Sequence, residues 1–177
     1  LDAEGYLAAP MIAEPLRRLD CARPVNGAVA VVVTGDPGLG NPIGVNVRGT
    51  GRTHPVRHRR AGRESWFGGG RRAVDDALDA ARMTRGDLDV AELYDPFSVV
   101  TLMLLEEYAL TGGVPAGKFV VSGETSRGGA LPTNTGGGQL SGFKRQGLDP
   151  VGFGGYQAGD AERPVGLALD VNRLDEE

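Results

Sequence analysis

Between Gly70 and Met83, apolar Val74, Ala77, Leu78 and Ala81 recur at i, i+3, i+4 and i+7. That spacing predicts an amphipathic helix, with Asp75, Asp76 and Asp79 on its wet face. A second segment, Phe97 to Leu110, carries Val99, Val100, Leu102, Met103, Leu104 and Leu105 nearly all the way round. A helix apolar on every side is expected to be buried on every side. Asp95-Pro96 ahead of it suits a helix start, with Asp as N-cap and Pro as the first helical residue. Gly27 to Thr34 is a continuous β-branched run bounded by turn residues, as in a strand covered on both faces. Ile43 to Arg48, Asp89 to Tyr94, Lys118 to Val121 and Gly166 to Val171 are further expected strands. Asp2 to Leu19 reads as a short helical or irregular lead-in interrupted by Pro10 and Pro15. A helix is expected from Gly138 to Gln146, and Pro150 to Gly159 is glycine-rich and poorly helical.

Alternating strands and helices with apolar strands imply an α/β fold, a mixed sheet flanked by helices. The helix 97–110 is expected to be its buried central helix. Gly35 to Pro42 has the composition of a linker, so the chain divides into 1–35, the end of one domain, and 36–177, a second domain. In α/β folds the site forms where loops leave the C-terminal ends of strands. Tyr94 and Asp95 stand at such an end, and Asn134 lies in a glycine-rich loop.

Composition narrows the function classes. The formal charge of −4 over 177 residues argues against general nucleic-acid binding. A single cysteine, Cys21, rules out an internal disulfide framework and suits a reducing compartment. No apolar run reaches the ~18 residues of a membrane span, and the N-terminus lacks a signal-peptide layout, so a cytoplasmic protein is expected. The chain begins at Leu1 rather than Met and is read as a fragment or a processed chain. Residues 50–63 are rich in arginine; guanidinium groups pair well with phosphate, and a solvated basic loop is the alternative. His54 and His58 lie four apart, but Pro55 intervenes and no acidic or thiol ligand is near, so no metal site is expected.

The segment Leu131-Pro-Thr-Asn-Thr-Gly-Gly-Gly-Gln-Leu-Ser141 is the most informative in the chain. Its glycines permit positive φ and close approach to a ligand. A helix opening after them would aim free N–H groups at whatever lies there. A flexible surface turn is the plainer alternative. Upstream stands Glu92-Leu-Tyr-Asp-Pro-Phe97. Asn134-Thr-Gly-Gly-Gly-Gln-Leu-Ser141 resembles the Asn-Thr-x-Gly-Gly-x-Leu-Ser segment of the thiolase superfamily. Glu92 to Phe97 sits where thiolases carry Asn-Glu-Ala-Phe or His-Asp-Cys-Phe. Asn26 to Val33 is similar to the Asp-Gly-Ala-Ala-Ala strand that ends their N-terminal domain, with Asn26 replacing the aspartate. The resemblance implies a thiolase-like layered fold, with 36–177 as the C-terminal domain.

Within that superfamily the chain most resembles the lipid-transfer-protein-like thiolases, which include aldolases that trim steroid side chains as CoA thioesters. This implies retro-aldol cleavage of a β-hydroxyacyl-CoA, with one tyrosine as base on the hydroxyl and a second tyrosine protonating the enolate. Tyr94 matches the first position. Lys144 stands at the second, where degradative thiolases have the histidine of Gly-His-Pro. Lysine would serve only if desolvation or Arg145 lowered its pKa to ~7; the alternative is an ordinary cation on CoA phosphate or in solvent. Likewise Tyr94 is either the base or a buried structural tyrosine, and Asp95 is either functional or simply a cap. The candidate catalytic residues are Tyr94, Lys144 and Asn134; Gly137, Gly138 and Ser141 are candidate contacts to the ester. No tightly bound cofactor is expected, with coenzyme A entering as part of the substrate. The resemblance implies a homodimer and, for the steroid aldolases, an OB-fold and zinc-ribbon companion protein. Two other functions stay open: a non-catalytic acyl-CoA-binding or scaffold subunit, and an acyltransferase whose nucleophile lies in an N-terminal half. Asn26 in place of the aspartate and the glycines at 152, 154 and 155, where family members have a helix-forming stretch, fit a non-catalytic copy.

Overall fold

The computed structural model describes residues 2–24, 35–36, 46–53 and 69–141. The lead-in forms α1 (Ala3–Leu7), the strands β1 (Met11–Ala13) and β2 (Leu16–Arg17), and a 3-10 turn at Arg18–Asp20. The core helices follow as α2 (Gly70–Ala81), α3 (Ser98–Glu107), α4 (Ala116–Val121) and α5 (Gly138–Ser141). The lead-in is therefore more regular than expected: β1 and β2 pair as an antiparallel hairpin. The expected strands at 27–34 and 166–171 and most of the linker and basic loop lie outside the described residues, as does Lys144.

α2 buries Val74, Ala77, Leu78 and Ala81, the stripe the spacing predicts. It ends at Arg82 in the left-handed region (φ 56). The Met83 N–H then returns to the Leu78 carbonyl at 2.9 Å, a six-to-one closure that satisfies a terminal carbonyl. Arg85 joins α2 to α3: its guanidinium donates to the Asp75 carboxylate and to the Tyr108 carbonyl, each at 2.6 Å. Residues 46–48 are not strand. Gly51 instead rests against the α2 backbone, where a Cβ would collide with the Ala73 carbonyl.

The core gathers Val74, Leu78, Leu88, Leu93, Leu104, Leu105, Leu110, Phe119 and Leu131 around fully buried Leu105. α3 starts at Ser98 and buries its Leu104–Leu105 flank, whereas Val99 is 41% exposed. Burial on every side therefore does not hold: α3 buries Leu104, Leu105 and Glu107, while Glu106 beside them is exposed. The expected strand at 118–121 is helix α4. Its buried residues, Ala116 and Phe119, lie three apart, so packing selects a helical period over the β preference of the two valines. A carboxylate from α3 caps this helix, Glu106 Oε1 accepting the Ala116 N–H at 2.9 Å. Where a strand is expected at 89–94, the described chain has one parallel bridge, Ala91 to Thr133.

The hairpin docks on the entrance to α3. Asp20, buried, accepts from Ser98 Oγ at 2.5 Å, the Arg17 N–H at 2.7 Å and Tyr6 Oη at 2.8 Å. These donors, Ser98 foremost, hold its carboxyl below the ordinary carboxylate range. No described helix is long and apolar enough to cross a membrane.

Candidate functional site

The site grows from the segment 91–95 and the loop 132–139. Ala91, Leu93 and Asp95 are buried, Glu92 is partly so, and Tyr94 is 59% exposed. That alternation is the pleat of an extended segment with one face on the core. The loop lies alongside, the Ala91 N–H donating to the Pro132 carbonyl and the Asn134 N–H to the Ala91 carbonyl, each at 2.9 Å. At Asn134 the backbone turns into the left-handed region (φ 51), which asparagine tolerates better than most residues. Its side chain continues the pairing where the backbone leaves it: Asn134 Oδ1 accepts the Leu93 N–H at 2.6 Å. The Gly137 N–H closes the turn onto the Asn134 carbonyl at 2.7 Å.

Two carboxylates from the 91–95 segment hold the rest of the loop. Glu92 Oε1 accepts both the N–H and the hydroxyl of Thr135, each at 3.1 Å. Asp95 Oδ1 accepts the Gln139 N–H in the first turn of α5 at 2.6 Å. Burial raises both carboxyls above their ordinary range, more than these hydrogen bonds lower them.

Asp95 is a helix cap, but not of the helix it precedes. Phe97 is extended (φ −138, ψ 146) at the start of α3, in a bridge with Cys21, so Asp95 lies too early to cap α3. It turns inward to α5 instead. Of the N–H groups expected to face a ligand at α5, that of Gln139 is therefore taken by the protein's own carboxylate. Gly138 (φ 57) lies against Asp95, and a Cβ there would overlap its Oδ2. Ser141 Oγ folds back onto the Gly137 carbonyl.

The candidates thus divide. The fold brings Tyr94, Asn134, Gly137 and Gly138 to one edge; Ser141 is engaged within its own helix turn. Tyr94 is not a buried structural tyrosine, because its ring stands out from the core. Glu92 and Thr135 do not stand out in the sequence as a pair. The one available signal is the spacing of Glu92 and Asp95 about Tyr94 in a single motif.

The family described as Thiolase C-terminal domain-like matches residues 49–148. The 17-hydroxy-3-oxo-4-pregnene-20-carboxyl-CoA lyase of Mycobacterium tuberculosis is 32% identical, over 92% of this chain and 44% of the lyase. An acetyl-CoA acetyltransferase of Methanothermobacter thermautotrophicus is 27% identical, over 76% of this chain and 36% of its own. The solved structure of an "Ltp2-ChsH2(DUF35) aldolase" aligns with TM-score 0.60 at 22% identity, over 79% of this chain and 38% of that one. This chain therefore spans less than half the length of these relatives.

Proposed function

Because the chain belongs to the thiolase superfamily through its C-terminal domain, we propose that it serves C–C bond cleavage of a β-hydroxyacyl-CoA, in lipid or steroid side-chain degradation. In this reaction a base takes the β-hydroxyl proton as the bond between Cα and Cβ breaks. A carbonyl forms at Cβ, the electron pair passes to the thioester enolate, and an acid returns a proton to Cα. Tyr94 is the base and Lys144 the acid. Asn134 and the glycines beside it line the approach of the ester, and Asn134 Oδ1 keeps the Tyr94 segment in register. Coenzyme A arrives with the substrate, and no further cofactor takes part.

One observation carries this reading. Tyr94 is presented outward, 59% exposed, from a segment whose neighbours Leu93 and Asp95 are hydrogen-bonded to the glycine loop. An exposed phenol on a backbone tied down on both sides is well placed for acid–base work, which needs a reacting group held in a fixed position. The similarity to a lyase named for a carboxyl-CoA substrate supports the substrate class. Acyl transfer is the second reading, favoured by the similarity to an acetyl-CoA acetyltransferase; its nucleophile would come from outside this chain's motifs. Residues 36–177 then form the thiolase C-terminal domain, in a cytoplasmic homodimer. A companion subunit of the OB-fold and zinc-ribbon kind is part of the proposal, supported by the two-component name of the aldolase structure.

The test is binding and turnover of a β-hydroxyacyl-CoA by the whole protein, with Tyr94→Phe and Lys144→Ala beside wild type. Each substitution is expected to lower turnover ~100-fold or more. Binding without turnover in wild type would make the protein an acyl-CoA-binding scaffold, and absence of binding would overturn the reading.

A further inference from the structure

Glu92 grips the glycine loop from the same short segment that carries Tyr94. Glu92 Oε1 receives two donors from one residue, the N–H and the hydroxyl of Thr135, 43 positions along the chain. Its carboxyl is desolvated, which burial alone makes unfavourable for the charged form. Its bonds anchor Thr135, at the head of Gly136 to Gly138, a stretch with little stiffness of its own. The segment's alternation also puts residues 92 and 94 on the same side, opposite the buried face of 91, 93 and 95. A shift of the loop at Thr135 therefore bears on the extended segment two residues from Tyr94.

We infer that Glu92 is a positioning residue: acting through Thr135, it fixes the loop 134–138 against the Tyr94 segment and so sets the opening in which a CoA ester lies. Its place in a reaction rests on the function proposed above; its hold on the loop does not. Both Thr135 donors converge on one oxygen, with the Gly136 N–H beside them, so the hold on Thr135 needs an acceptor oxygen rather than a charge. A glutamine at 92 therefore keeps it and an alanine abolishes it.

The test uses the whole protein with Glu92→Ala, Glu92→Gln and Thr135→Val, read by amide hydrogen exchange over 134–139 and by kcat and KM for a β-hydroxyacyl-CoA. Glu92→Ala is expected to speed exchange of these amides about 10-fold or more. It should lower kcat by about 10–100-fold with KM within about threefold, because misplacement of a reacting group acts on the chemical step. Glu92→Gln should bring both readouts back to within about threefold of wild type, since its amide oxygen still accepts. Thr135→Val, which removes only the hydroxyl donor, should speed exchange by a smaller factor. It also keeps the test open if Glu92→Ala does not fold. Unchanged loop exchange in both Glu92→Ala and Thr135→Val would overturn the inference. A Glu92→Gln protein with a normal loop and the full kcat loss of Glu92→Ala would also overturn it, showing that the charge acts directly. If wild type turns over no ester, the proposed reaction fails, and the exchange data still decide whether Glu92 holds the loop.

Discussion

Gly138 and Asp95 depend on each other. Gly138 adopts φ 57 with the Asp95 carboxylate where its Cβ would stand, so both conformation and space exclude a side chain. Gly138→Ala is expected to destabilise by about 1–3 kcal/mol, read as a lower urea midpoint at unchanged slope. The carboxyls at this edge also predict a pH signature. Glu92 and Asp95 have folded pKa values raised by burial. Their contribution to stability is fully present below the ordinary carboxylate range and is lost as pH rises through the folded values. Asp20 has the opposite sign: its pKa is lowered, so its contribution is present above the ordinary range and is lost as pH falls through the folded value. Urea midpoints measured from about pH 3 to 7 should therefore show a flatter acid limb in Asp20→Asn and a smaller loss toward neutral pH in Glu92→Gln. Single residues announced part of this. A glycine run signals positive φ, and an asparagine before it signals a turn. That Asp95 would cap α5 rather than α3 was not legible, because its partner Gln139 is 44 positions away.

At the scale of elements, α2 is the case in which pattern and structure agree, because its apolar stripe is long enough to specify a period. α4 is the opposite case. Lys118-Phe-Val-Val121 carries β-branched residues, yet the segment is helical because Ala116 and Phe119 fill the core together and Glu106 caps the helix. Six residues hold too little periodicity to outweigh propensity on the page, whereas in the fold the packing decides. The energetic prediction follows burial. Leu105→Ala in α3 should cost about 2–5 kcal/mol, whereas Val121→Ala, at a position 88% exposed in α4, should stay within about 0.5 kcal/mol. Thermal or urea unfolding of both variants checks the contrast. α3 shows the same limit: its composition is apolar all round, but composition does not say which flank neighbours cover.

For the molecule as a whole, the lead-in joins the core through the buried Asp20 carboxylate, beside the Cys21–Phe97 bridge and the Ala22 N–H bond to the Pro96 carbonyl. Asp20 ties α1, the hairpin and the first residue of α3 together. Asp20→Ala should release this unit, and trypsin should then cut after Arg17 or Arg18 at least about 10-fold faster, while α2 and α3 stay protected. Equal cleavage of wild type and variant would show that the hairpin is held by other contacts. The amino-acid sequence by itself determined the α/β class, the family, the α2 stripe and the two motifs that meet at the candidate site. These depend on short-range spacing and on residue types with special backbone freedom, both of which are local. Only the tertiary structure decided that residues 91–95 pair with the glycine loop through Asn134, that Glu92 and Asp95 grip that loop, and that Tyr94 faces outward. The contacts of Asn134, Glu92 and Asp95 join positions 41, 43 and 44 residues apart, and they set the face on which Tyr94 stands. Such contacts are selected by burial and by the need to satisfy buried polar groups, which no local pattern records.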